Sequence, residues 1–275
     1  MSISARSFQY FTACFILCLA NVVNAQVRIV AHRGGLYDQF PESSLSLFDA
    51  TTRSFKADTV VVEIDIRESK DGTLYLMHDP TVDRTSSGKG KLEDLSDKEL
   101  NTLRLRKKDG NITAEHIPTF DEVLTFIRNR NINLMLDIKA PIHEKVLEQV
   151  KKHKLEHRML VLTFQNDITA QVAKKGQNFL LSALIETDEA WKSFEQIPMQ
   201  PGKRVAYITV KTTSTLIDTL RQKNVLIMAD VSEDQRNGGK PLNAAEYRTK
   251  VSRQKLDILI SDFPIEARNA VISER

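Results

Sequence analysis

The chain has 275 residues, with 39 Lys and Arg against 36 Asp and Glu, a formal net charge of +3, and 41% hydrophobic and 27% charged residues. That balance excludes a disordered, collagenous or multi-span membrane protein, and it offers no electrostatic case for nucleic acid as a partner. The two cysteines, Cys14 and Cys18, both fall within the first 25 residues.

Residues 1–25 carry one positive charge at Arg6, an apolar run from Phe8 to Val23, and the small-residue pattern Val23-Asn24-Ala25 before Gln26. This is the layout of a secretory signal peptide, so export to a periplasm or the medium is expected. A retained membrane anchor is the weaker reading, because the run holds Gln9, Thr12 and Asn21 and is short for a bilayer span. Neither cysteine suits lipid attachment, since Phe11 and Leu17 are poor neighbours for such a site. Residues 26–275 then form a thiol-free chain of 250 residues with 38 basic and 36 acidic side chains. Such a chain has the length of one domain held by a core rather than by disulfides. Any metal must be bound by carboxylates, histidines or backbone oxygens.

From Val27 onward, short apolar β-branched runs alternate with segments of helical spacing. The predicted strands are Val27–Ala31, Thr59–Asp65, Asn133–Asp137, Met159–Thr163, Phe179–Leu184, Val205–Thr209, Val225–Ala229 and Asp257–Ser261. The predicted helices are Ser43–Lys56, Thr119–Asn129, Ile142–His153, Asp167–Lys175, Asp188–Glu195, Thr213–Lys223, Ala244–Arg253 and Pro264–Ile272. Thr119 with Glu122 three residues on forms a capping-box signature. Eight strands each followed by a helix predict an α/β fold, a closed (β/α)8 TIM barrel, with an open doubly wound sheet as the alternative. Residues 66–118 interrupt the repeat with a short strand at Thr73–Met77 and a turn-rich stretch. The part from about 79 to 118 reads as an insertion on the functional rim.

In a parallel barrel the reactive groups lie where strands end. Glu63 and Asp65, two apart on a strand, share a face, and Val60-Val61-Val62, Ile64 and Ile66 mark that strand as buried. Two unpaired carboxylates there are costly, so a cation is the economical partner. With Asp137 they make an all-oxygen set suited to Ca²⁺ or Mg²⁺. His32 and His78 end two strands and suit a general acid and base. Arg33 and Lys139 add fixed positive charge, which together with a dication fits a phosphate. His116, His143, His153 and His157 are expected on the surface, and Lys107-Lys108 on a solvated face, while Lys211 is a weaker candidate for reaching a phosphate.

The ordered series His32-Arg33-Gly34, Pro41-Glu42-Ser43-Ser44, Glu63-Ile64-Asp65, Asp71-Gly72, His78-Asp79-Pro80-Thr81-Val82-Asp83-Arg84-Thr85, Ile117 to Leu124, Leu136-Asp137-Ile138-Lys139 and Asp257 to Pro264 resembles the glycerophosphodiester phosphodiesterase family. The resemblance implies a TIM barrel with a small insertion after the second strand and His32 and His78 as the acid/base pair. It further implies Arg33 as a phosphate ligand, with Lys139 beside the site and Glu42 orienting Arg33, and Glu63 and Asp65 as metal ligands. Asp137 stands where the family usually has glutamate, Ser43 where it commonly has asparagine, and the seventh strand lacks a tryptophan often found there.

The expected activity is metal-dependent hydrolysis of a glycerophosphodiester, a small-molecule substrate, to glycerol 3-phosphate and an alcohol. The nucleophile is left open between water and the substrate's own neighbouring hydroxyl. Two alternatives are an exported barrel phosphodiesterase acting on lysophospholipids and a non-catalytic phosphodiester-binding protein. The first needs Leu36, Tyr37, Phe40, Phe164 and Trp191 to form a chain-sized groove.

Overall fold

The computed structural model describes residues 27–35, 38–56, 58–176 and 178–272. Residues 1–25, the expected leader with Cys14 and Cys18, and Leu36 and Tyr37 lie outside the described residues. The first half runs β1 (Arg28–Ala31), α1 (Leu45–Ser54), β2 (Val60–Glu68), β3 (Leu74–Leu76), α2 (Asp97–Leu100), α3 (Phe120–Ile127), β4 (Ile132–Ile138) and α4 (His143–His153). It continues with β5 (Met159–Leu162), α5 (Asn166–Lys175), β6 (Leu180–Leu184), α6 (Asp188–Glu195), β7 (Arg204–Tyr207) and α7 (Ser214–Gln222). The last elements are β8 (Leu226–Asp230), the single turn α8 (Glu233–Arg236), α9 (Ala244–Gln254), β9 (Ile258–Ser261) and α10 (Pro264–Ile272).

Neighbouring strands pair in parallel in the order β1-β9-β8-β7-β6-β5-β4-β2, and β1 also pairs with β2 and closes the ring. The closed TIM barrel is therefore the fold, and the open sheet is excluded. Among the strands of the described residues β3 is the antiparallel one, with Ile66 opposite Leu76 and Glu68 opposite Leu74. That pairing carries β2 three residues past the expected Asp65, since Ile66 to Glu68 gain ladder partners from the insertion.

Strand alternation divides the core in two. Val60, Val62, Ile64, Leu134 and Leu136 face outward, packing with the helices' Phe48, Val123, Leu124 and Val146 in one layer. Val30, Val61, Met135, Leu160, Met228 and Ile260 fill the barrel interior. The insertion has a small core of its own, with Tyr75, Met77, Val82, Leu92, Leu100, Leu105 and Ile117. α3 starts at a complete capping box of Thr119 and Glu122, as its sequence predicts. Among the described residues no helix is long and apolar enough to cross a membrane.

Candidate active site at the barrel mouth

Val61, Glu63 and Asp65 share the inward face of β2, so the strand begins in the apolar interior and ends as acid at the carboxyl edge. β4 lies in register beside it, with Asp65 opposite Asp137 and Glu63 opposite Met135. One carboxylate oxygen from each of Glu63, Asp65 and Asp137 lies within 4.8 Å of the others. Glu63 and Asp65 are almost fully buried, at 2% and 1% exposed. Burial first, then the charge of Asp65, pushes the Glu63 carboxyl up to about 8, against the pull of His32. Lys139 sits among these acids, its Nζ 2.9 Å from Asp65 Oδ1 and 2.5 Å from Asp137 Oδ2.

The chain leaves β1 through a tight left-handed turn. Arg33 has φ 49°, and Gly34 and Gly35 follow at φ 95° and 68°. A Cβ on Gly34 would lie 2.8 Å from Leu47, and one on Gly35 2.6 Å from Pro264, so both positions need glycine for space as well as for backbone freedom. The unfavourable conformation of Arg33 aims its backbone N–H at Glu63 Oε2, 2.7 Å away. Its guanidinium reaches toward two acids, with Nε 3.8 Å from Asp65 Oδ2 and Nη1 3.5 Å from Glu42 Oε2.

Both candidate histidines are gripped at the same ring atom. His32 Nδ1 lies 2.6 Å from Asp262 Oδ1, and His78 Nδ1 lies 2.7 Å from Asp79 Oδ1. A carboxylate on Nδ1 selects the tautomer and makes Nε2 the atom for exchange with a substrate. Burial works against the His32 imidazolium, but the Asp262 hydrogen bond and the charge of Glu63 outweigh it and push the group up to about 9. Asp79 is held at about 2, chiefly by Arg84 and, against some burial, also by His78. Arg67, further along the same face of β2, donates through Nε and Nη2 to the His78 carbonyl at 3.1 and 2.8 Å, so the strand fixes the loop that bears the histidine.

Arg84 joins the insertion to the barrel. It donates to Glu42 at 2.8 and 2.9 Å and to Asp79 at 2.6 and 3.1 Å. Glu42 is thus held mainly by Arg84, while its contact with Arg33 is the longer one. The chain His78–Asp79–Arg84–Glu42–Arg33 is continuous. A cavity of about 330 Å³ opens beside it, lined by His32, Arg33, Glu42, Arg84, Lys108 and Asp262 among others.

Several sequence expectations need correction. Lys107 and Lys108 are not a simple solvated face, because both line that cavity, and Lys108 pairs with Asp234 at 2.9 Å. His153 is not a surface residue, since its side chain is 8% exposed and bonds Asp121 at 2.8 Å across two helices. His143 lines a cavity with Asp137 and Lys139, where burial lowers its pKa. Lys211 pairs with Glu186 at 3.1 Å. Trp191 is buried among helix residues and Phe40 packs on the same layer, so neither is free to line a chain-sized groove, while Phe164 is exposed. Asp262, Arg84 and Arg67 received no role from sequence, although the first two stood inside quoted motifs.

The donor set fits a hard divalent cation. All three ligand candidates are carboxylates, and Asp65 Oδ2 is buried with no hydrogen-bond partner among the described residues. A buried carboxylate oxygen without a donor suits coordination to a hard cation.

Residues 32–266 match the model of the glycerophosphoryl diester phosphodiesterase family. A glycerophosphodiester phosphodiesterase of Caldanaerobacter subterraneus is 28% identical over 165 residues, covering 58% of this chain and 66% of that protein. Glycerophosphodiester phosphodiesterase 1 of Bos taurus is 33% identical over 171 residues, covering 58% of this chain and 49% of that one. The chain thus spans less than two thirds of the length of these relatives. A glycerophosphoryl diester phosphodiesterase structure from Parabacteroides distasonis superposes with a TM-score of 0.78 at 28% identity, covering 91% of this chain and 88% of that chain. A phosphodiesterase of Oleispira antarctica, solved with the product sn-glycerol-3-phosphate, shares the fold at 21% identity with a TM-score of 0.70, over 90% of this chain and 97% of that one.

Proposed function

Since this chain belongs to the glycerophosphoryl diester phosphodiesterase family, we propose that it hydrolyses a glycerophosphodiester to glycerol 3-phosphate and an alcohol, using His32 and His78 as its proton-transfer groups. The observation that carries this reading is the pair of histidines, each gripped at Nδ1 by an aspartate, one of them on the same turn as Arg33 and its link to Glu63. A binding protein has no use for two oriented proton carriers; a reaction that must deprotonate a nucleophile and protonate a departing alkoxide needs both.

Glu63, Asp65 and Asp137 would hold a divalent cation, Ca²⁺ or Mg²⁺. When bound, it withdraws charge from the phosphoryl oxygens as a Lewis acid. Arg33 and Lys139 set fixed positive charge on the same rim, where it opposes the charge that builds on phosphorus oxygens. One imidazole takes the nucleophile's proton at Nε2 as the nucleophile's oxygen bonds to phosphorus, the phosphorus–oxygen bond to the alcohol breaks, and the other imidazole gives its Nε2 proton to the leaving oxygen. Asp262 and Asp79 steady the two rings throughout. Arg84 keeps the insertion's histidine in place against the barrel.

Export is part of the same proposal and rests on the layout of residues 1–25. Incubating the full chain with glycerophosphocholine or glycerophosphoglycerol and either cation should release glycerol 3-phosphate. No release from either diester with either cation would overturn the assignment.

A further inference from the structure

The turn after β8 carries a buried carboxylate that the reaction above does not use. Glu233 is 0% exposed. Its Oε1 accepts from the Tyr247 hydroxyl and the Ser261 hydroxyl, each at 2.6 Å, and its Oε2 accepts from the Asp262 backbone N–H at 2.8 Å. The donors come from α9, from the end of β9 and from the residue that follows it. One side chain therefore ties three segments together behind the barrel mouth.

The same turn also grips Asp262 from its other end. The backbone N–H of Asp234 donates to Asp262 Oδ2 at 2.8 Å, while Asp262 Oδ1 meets His32 Nδ1 at 2.6 Å. Asp262 is 2% exposed, so its carboxylate has little room to rotate once its backbone and one oxygen are fixed. Just before Glu233, Ser232 sits at φ 27°, with its N–H and hydroxyl held by Asp230. Backbone kept in so unfavourable a region marks a turn whose placement the surroundings over-determine. The reward is a carboxylate facing back into the protein and an amide facing Asp262. A glutamine of the same size would fill the space, but its NH2 would face a donor.

We propose that Glu233 is a positioning residue for proton transfer, which acts through Asp262 to fix the tautomer and aim of the His32 imidazole. The proposal rests on the assignment of His32 as a proton-transfer group. Glu233 touches neither the substrate space nor the carboxylate triad, so its loss should change turnover and leave substrate and cation binding alone.

The test is Glu233→Gln in the full chain with Mg²⁺ or Ca²⁺ present. The expected kcat falls up to about tenfold, the low end of the range for losing an outer hydrogen-bond partner, because Glu233 reaches His32 only through Asp262, while KM is unchanged. The downfield Nδ1 proton resonance of His32, identified by its loss in His32→Gln, should move or broaden. In an Asp262→Ala background Glu233→Gln should cause no further fall in kcat, because the route to His32 is already broken. Wild-type kcat with an unmoved resonance, or an equal fall in both backgrounds, overturns the proposal. If Glu233→Gln does not fold, Tyr247→Phe removes one donor to the same oxygen, and an unmoved His32 resonance there counts against the proposal equally. A wild-type chain that turns over no glycerophosphodiester would refute the proposed reaction, whereas the resonance would still report on the clamp.

Discussion

Replacing Arg84 with alanine removes four charge-assisted hydrogen bonds at once, two to Glu42 and two to Asp79. The exposures set the size of the effect. Arg84 is 47% exposed, Glu42 13% and Asp79 25%, so the cost of stranding a fully buried charge does not apply. Half-exposed pairs are worth up to about 1 kcal/mol each, which puts the stability loss at no more than about 2 kcal/mol for the two. For a domain of this size that lowers Tm by at most about 8 °C. Activity should suffer more specifically. Asp79 would lose the fork that holds its carboxylate against His78, and Glu42 would turn its full charge on Arg33, which it now meets only at 3.5 Å. A fall of about tenfold in kcat/KM corresponds to about 1.4 kcal/mol of lost transition-state stabilisation. Arg84→Lys should recover only part of it, because one ammonium cannot present a fork to two carboxylates. Steady-state kinetics and thermal melts on both variants provide the assay. An Arg84→Ala enzyme with wild-type kcat/KM would refute the idea that this bridge holds the histidine and arginine in place.

Glu63→Gln and Asp65→Asn should each abolish calorimetric binding of Ca²⁺ or Mg²⁺ and cation-dependent turnover, and Asp65→Asn should also lower the metal-free Tm, since it loses the buried pair with Lys139 at 2.9 Å. Unchanged cation binding would remove the residue from the ligand set. Asp79 gives a pH signature. Its carboxyl is depressed to about 2 when folded, chiefly by Arg84, so its contribution to stability is present above the ordinary value of 3.8 and disappears as pH falls through about 2. The Tm difference between the wild type and Asp79→Asn should therefore shrink between about pH 4 and pH 2, and a constant difference would contradict the pairing. Gly35→Ala should cost about 1–3 kcal/mol, a size that backbone strain and overpacking both support, because its Cβ would meet Pro264 at 2.6 Å; a melt at the wild-type temperature would show that the turn relaxes freely. If the proposed export holds, mass spectrometry of the protein recovered outside the cytoplasm should find it starting at Gln26, and a protein that stays inside or retains residue 1 would contradict the cleaved leader.

The strands were legible because each is a local pattern, a short apolar run bounded by polar or turn residues, and the closed ring satisfies all eight of them at once. Glu63 and Asp65 were legible for the same reason, since a two-residue spacing within a buried strand places both on one face whatever the rest of the chain does. What completes the site was not local. Asp262 meets His32 across 230 residues, and Arg84 meets Glu42 across 42. Neither carries a periodicity or spacing that names its partner. The Glu233 clamp joins residues separated by 14, 28 and 29 positions. His153 was misread because its helix face looks polar in sequence, whereas α3 lies across it and supplies Asp121. Lys107 and Lys108 were misread because a charge pair in a turn-rich stretch says nothing about the wall it will face once the insertion folds over the barrel mouth.

Phosphorus NMR of the full chain with glycerophosphocholine and with glycerophosphoglycerol, in Ca²⁺ or Mg²⁺, tests the central claim most directly. A diester signal should give way to glycerol 3-phosphate, stop on chelation, and persist unchanged with His32→Ala or His78→Ala. A diester signal that never changes with the wild-type chain, or one that decays equally fast with the metal stripped and both histidines replaced, would contradict the account.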